Sequence, residues 1–137
     1  MSCRTIFWQQ KRLGIQGMLY WNTTYRHKKC TEDPWLNTVA LEPRKCGDGM
    51  LLYPENKVGI DGPVSCQRLE ILRDGLEDFD YLALADQRLG PDAASAYVAR
   101  IARTLTNHEK DPLQLEKVRL DLGAALEKAT VKARKKL

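Results

Sequence analysis

Hydrophobic and polar positions alternate most clearly in the third quarter of the chain. Turned at ~100° per residue, residues 65–84 (SCQRLEILRDGLEDFDYLAL) place Leu69, Leu72, Leu76, Phe79, Leu82 and Ala83 on one apolar arc. That spacing predicts an amphipathic helix over 65–89. Two more helices are predicted over 92–107 and 112–135, where Pro91 and Pro112 suit a first helical turn. In the last of them Leu113, Leu115, Val118, Leu122 and Leu126 make a stripe at helical spacing, which reads as a packing face. The first half of the chain has a different pattern. Residues 4–13 read as the last turns of a helix stopped by Gly14. IQGMLYWN (15–22) and MLLYP (50–54) are short, continuously apolar runs, the kind of strand that is buried on both faces of a parallel sheet. The stretches between these elements, one ending in the turn signal CGDG and the other reading ENKVGIDGPV, are predicted loops.

Two residues interrupt the apolar face of the 65–89 helix. Arg68 falls beside Leu72, where a guanidinium is costly unless it is paired and hydrogen-bonded. Glu70, Asp74 and Glu77 project from the opposite side, so a partner is expected outside the helix, with Asp48 a candidate. Arg68 therefore reads as a structural anchor that sets the register of this helix against the loop carrying Tyr53. Gly75 lies on the same side. A mid-helix glycine costs about 1 kcal/mol relative to alanine, so a close backbone approach is expected there. The doublet Glu77-Asp78 reads as solvated surface charge.

Composition excludes more than it assigns. The chain has 137 residues and 43% hydrophobic content, ordinary for a soluble globular chain. No apolar run approaches the ~18 residues of a membrane span, and residues 1–14 lack the apolar core of a secretory signal. The net charge of +4 is mild, and much of it sits in KATVKARKKL, where basic residues complement a helix C-terminus. No aromatic residues interleave with them, so neither nucleic acid nor membrane is an expected partner. The four cysteines form no CxxC pair, and His27, Cys30 and Cys46 are too widely spaced for a persuasive zinc site. No metal or cofactor is expected.

Two buried-type strands cannot satisfy their backbone groups or cover both faces alone. The order helix, short turn, apolar strand, long loop, apolar strand, long loop, helix matches the end of an α/β barrel. The expected fold class is thus α/β: the C-terminal part of a (β/α)8 barrel, followed by an α-helical C-terminal segment. Residues 1–90 would hold the last strands and closing helix, and 91–137 a helical extension packed on them. The missing N-terminal barrel portion would be the natural partner.

RTIFWQQKRLGIQGMLYWN, EDPW, GDGMLLYP and GPVSCQRLEILRDGLEDFDYLAL occur in that order. As an ordered set this resembles the C-terminal region of glycoside hydrolase family 123 and its relatives, the domain of unknown function 4091. The resemblance covers about residues 4–125. It implies a (β/α)8 barrel and release of terminal N-acetylgalactosamine from β-linked glycans by a substrate-assisted retaining mechanism, an exception to the two-carboxylate scheme. In that mechanism an adjacent Asp-Glu pair assists, the Glu as general acid/base and the Asp orienting the acetamido group. The pair lies upstream of everything matched here, so no catalytic residue is expected in this chain. The doublets Glu32-Asp33 and Glu77-Asp78 both run in the opposite order.

Barrel enzymes place their sites at the C-terminal ends of strands. Trp21 and Asn22 end the first predicted strand and Tyr53 the second; Tyr25 and Trp35 lie in the loop above. An indole offers an apolar plane for a sugar ring, and Asn22 can both donate to and accept from hydroxyls. Asp48 is either a turn former or a carboxylate bonding a sugar hydroxyl. The expected substrate-binding set is Trp21, Asn22, Tyr25, Asp48 and Tyr53. Three departures from the family pattern leave specificity open: Cys66 for a Ser, Tyr25 for a Trp, and YPE for YPG. The alternatives are a non-catalytic carbohydrate-binding remnant and a helical interaction module. Localisation stays open, because a preceding segment could carry a signal.

Overall fold

A computed structural model describes residues 2–25, 35, 49–54 and 59–135. Among them are four helices and one small sheet: α1 (Ser2–Leu13), β1 (Leu52–Tyr53), β2 (Val64–Ser65), α2 (Gln67–Arg88), α3 (Pro91–Ile101) and α4 (Pro112–Arg134). No described helix is long and apolar enough to cross a membrane. The chain divides into two compact units, one of residues 1–17 and 71–137, the other of residues 18–70.

Local chemistry ends and starts the helices of the first unit. Gly14 takes φ 69° after α1, so its N–H reaches the Lys11 carbonyl at 3.3 Å while Ile15 N–H reaches Gln10 at 2.9 Å. That pair of bonds satisfies carbonyls the helix end would otherwise leave open. Gly90, at φ 92°, turns the chain between α2 and Pro91 of α3. Asp111 caps α4, accepting from Leu113 N–H at 3.0 Å with Pro112 next in line. α3 stops at Ile101, six residues before the predicted end at 107, because residues 102–109 close a loop of their own. Arg103 and Thr104 N–H both bond Asn107 O at 3.0 Å, and Glu109 N–H bonds Ile101 O at 2.8 Å. Glu109 then accepts from the N–H groups of Asp111 and Lys110, which hold its pKa below the usual carboxylate range.

The core of this unit joins all four helices. Trp8 of α1 packs with Leu82 and Ala85 of α2, Ala94, Val98 and Ile101 of α3, and Leu115, Val118, Leu122 and Leu126 of α4. The predicted α4 stripe is thus buried, except at Leu113, which is 76% exposed in the first turn.

α2 is turned differently from the arc its apolar residues suggest. Its buried residues are Leu72, Gly75, Asp78, Leu82 and Ala85, while Leu76 is 55% exposed. The expectation of solvated charge at Asp78 is therefore overturned, for Asp78 is fully buried. The cause is a set of donors from two other helices. Arg4 bonds both carboxylate oxygens, Nε to Oδ2 at 2.7 Å and Nη2 to Oδ1 at 2.9 Å. Trp8 Nε1 donates to Oδ2 at 2.9 Å and Arg119 Nε to Oδ1 at 2.7 Å. Four donors compensate the desolvation that makes a lone buried carboxylate so costly. Glu116 accepts from Arg4 at 3.1 Å and Glu77 from Arg119 at 3.3 Å, and the Arg119 guanidinium lies 4.9 Å from the Tyr81 ring centre. Burial opposes the charge on Arg4, but the Asp78 and Glu116 carboxylates outweigh it and its pKa stands above its ordinary value. The close approach expected at Gly75 is present, and its partner is α1: an added Cβ would stand 2.7 Å from Phe7 Cε2 and 3.2 Å from the Arg4 carbonyl.

The second unit departs most from the sequence pattern. Among the described residues 15–22 form no strand, and Leu19 is 91% exposed. A continuously apolar run becomes a strand only beside a neighbour that pairs its backbone along its length. The first described bridge comes only after the run, Thr24 opposite Met50. MLLYP does contribute a strand, but of two residues and antiparallel, with Leu52 opposite Ser65 and Tyr53 opposite Val64. Met50 and Leu51 are buried beside it.

Candidate functional site

The described residues of the second unit bring two aromatic pairs onto one short backbone frame. Thr23 O accepts from both Leu51 N–H at 2.7 Å and Leu52 N–H at 3.0 Å, while Tyr25 N–H donates to Gly49 O at 2.8 Å. These bonds tie residues 23–25 to 49–52. On that frame the Trp21 and Tyr25 rings lie 4.7 Å apart at 57°, and Trp21 keeps 52% of its surface exposed. Tyr53 does not join them. Its ring pairs with Trp35 at 5.1 Å and 49°, and Trp35 Nε1 donates to the Pro54 carbonyl at 3.1 Å. Tilted pairs at these separations fix each ring against the other.

Asn22 sits between the members of the first pair in sequence and is half-buried. Its Oδ1 accepts from Thr24 N–H at 2.9 Å, an Asx turn. That bond takes one lone pair of the amide oxygen, and the amide still carries its two N–H donors. Asp48 lies outside the described residues.

Arg68 meets this frame from the start of α2. Its Nη2 donates to the Met50 carbonyl at 3.0 Å, and Cys66 Sγ approaches the same oxygen at 3.7 Å. A backbone carbonyl is thus one partner of the arginine. Cys66 contributes its backbone as well: its N–H bonds Leu51 O at 2.9 Å and its carbonyl accepts from Leu69 N–H at 2.9 Å. The sequence reading missed Gly49, which is buried at φ 75° within the GDG turn signal. The glycine was visible as punctuation, but nothing local said that a ring would lie against it. Chemically the frame offers an exposed indole face, a phenol and amide donors, with no titratable pair suited to proton transfer among its described residues. Among the described residues no group of three His, Cys, Asp or Glu side chains is arranged to hold a metal ion.

Residues 1–85 match the family model for the catalytic domain of glycoside hydrolase 123. The chain belongs to that family. No curated protein matches the chain. As a glycoside hydrolase sequence its substrate class is carbohydrate, and the aromatic frame lies inside the matched residues. α3 and α4 lie beyond the match, yet α4 supplies Arg119 to Asp78 of the matched region and four side chains to the core around Trp8. Within this glycoside hydrolase chain the last helix is part of the packing that the matched residues need.

Proposed function

We propose that this chain supplies the sugar-binding, C-terminal part of a β-N-acetylhexosaminidase of N-acetylgalactosaminidase type. The observation that carries the proposal is the family match over residues 1–85. In this reading the frame belongs to a (β/α)8 barrel completed by residues N-terminal to it. The Trp21 face receives the carbon-bound hydrogens of the terminal amino sugar, Tyr25 borders it, Tyr53 with Trp35 adds a second aromatic surface, and Asn22 donates to a substrate oxygen. Arg68 holds the Met50 carbonyl and with it the backbone leading to Tyr53.

The chemistry proposed is substrate-assisted retention. The substrate's acetamido oxygen attacks the anomeric carbon as the glycosidic bond breaks, and a Glu protonates the departing oxygen. The same Glu then takes a proton from the water that opens the cyclic intermediate, while the neighbouring Asp polarises the acetamide. Both acids belong to the upstream part of the barrel, so residues 1–137 bind and orient. The test is hydrolysis of a chromogenic β-N-acetylgalactosaminide by the intact protein that carries this chain, with the product anomer followed by NMR. Turnover with the β-anomer formed first is the expected result. An intact protein without turnover would overturn the reading.

A further inference from the structure

Gly49 is the point where the backbone of the second unit touches the candidate sugar surface. Its φ of 75° lies in the left-handed region, where a side chain is strained. Its surroundings are tighter still. A Cβ there would stand 2.5 Å from Trp21 Cζ2, 2.9 Å from Trp21 Cη2 and 2.9 Å from Tyr25 Cβ. The benzo edge of the indole therefore rests against the hydrogen of this glycine. The backbone of the same residue is engaged on both sides, for its N–H donates to Tyr20 Oη at 3.1 Å and its carbonyl accepts from Tyr25 N–H. The next carbonyl, Met50, is the one that Arg68 holds.

We infer that Gly49 is a positioning residue: its bare backbone sets the tilt and depth of the Trp21 ring against Tyr25. The consequence for sugar binding rests on the reading of Trp21 as the sugar surface. Any side chain at residue 49 displaces the indole or tilts Tyr25 away from it, because the rigid indole can yield only by moving as a whole and Tyr25 Cβ is fixed to its own backbone. The role differs from ordinary turn formation, and the molecule contains the control. Gly59 has φ 70°, nearly the same φ, and nothing stands within 4 Å of where its Cβ would be. Gly59→Ala carries the strain of a positive φ alone, whereas Gly49→Ala carries that strain and the collision.

The experiment is fluorine NMR of the full chain with fluorotryptophan at its three tryptophans, the Trp21 signal being assigned with Trp21→Phe. Gly49→Ala is expected to move the Trp21 resonance and leave that of Trp8, in the other unit, in place; Gly59→Ala is expected to move neither. A Trp21 resonance unmoved by Gly49→Ala, or moved equally by Gly59→Ala, would overturn the inference. If Gly49→Ala alone fails to fold while Gly59→Ala folds, the double variant Gly49→Ala/Trp21→Phe is expected to recover part of the lost stability, since the indole contact is gone while the Tyr25 contact and the positive φ remain; no recovery also overturns the inference. Titration with methyl β-N-acetylgalactosaminide separates this inference from the reading beneath it. Gly49→Ala is expected to weaken binding about tenfold. A displaced Trp21 with unchanged affinity would leave Gly49 as the positioning residue and remove Trp21 from the sugar site.

Discussion

The two units solve opposite problems with polar groups. In the helical unit the most polar feature is the most deeply buried, an aspartate answered by four donors from α1 and α4. In the unit of residues 18–70 a large aromatic side chain is left half in water, an indole with 52% of its surface exposed. A fully satisfied carboxylate among helices offers a ligand nothing, because its lone pairs are already taken. An exposed indole on a hydrogen-bonded frame contributes less to folding and keeps a face for something else. If the proposed sugar surface is correct, stability and recognition are carried by different residue types within one short chain.

Substitution should cost most at Asp78. Removing one partner of a buried ion cluster leaves uncompensated charge, which costs about 3–5 kcal/mol. Asp78→Asn should lower stability by that amount in urea denaturation, since Arg4 and Arg119 then face a neutral amide. A loss no larger than that of a surface substitution would show that the cluster is incidental. The second unit should respond in function instead. Asn22→Asp keeps an oxygen for Thr24 N–H, so the Asx turn survives, but it replaces the amide donors with a carboxylate. Affinity for methyl β-N-acetylgalactosaminide should fall at least about tenfold, with the unfolding midpoint unmoved. Unchanged affinity would remove Asn22 from the site.

The smallest effect sharpens the helical side. The Asp111 and Lys110 N–H groups, the largest influences on Glu109, lower its pKa in the folded chain. A carboxyl with a depressed folded pKa contributes stability above its unfolded pKa and loses it as pH falls through the folded value. Wild-type stability should thus fall more steeply than that of Glu109→Gln as the pH drops from about 6 to about 3. Parallel acid limbs in the two denaturation series would contradict a stabilising role for the Glu109 carboxylate.

The same division explains what could be read from the sequence. Helical periodicity placed α2 and α4 within a few residues, because packing on one face imposes a period that survives in the residues themselves. The phase of α2 was harder to read. Its apolar arc ran through Leu76, but the buried face runs through Gly75 and Asp78. Gly75 was assigned correctly to the buried side, and Asp78 is one turn further along it. What concealed the aspartate is distance along the chain, since its donors lie 74, 70 and 41 residues away. Arg68 was conspicuous because a guanidinium beside Leu72 violates the local pattern, and it does turn inward to a carbonyl. Residues 15–22 misled for the opposite reason. Their composition suits a strand, but strand formation is decided by a neighbour's backbone and not by the run itself. Trp21 and Tyr25 were each chosen individually as pocket residues, whereas the glycine on which they rest becomes apparent only in three dimensions.

The decisive point is whether the exposed indole serves a carbohydrate in a working enzyme. The most direct measurement is kcat/KM for a chromogenic β-N-acetylgalactosaminide, comparing the intact protein with its Trp21→Ala variant at matched unfolding midpoints. Trp21→Ala is expected to lower kcat/KM by about tenfold or more, with Trp8 and the Asp78 cluster undisturbed. Equal kcat/KM in the two proteins would contradict it.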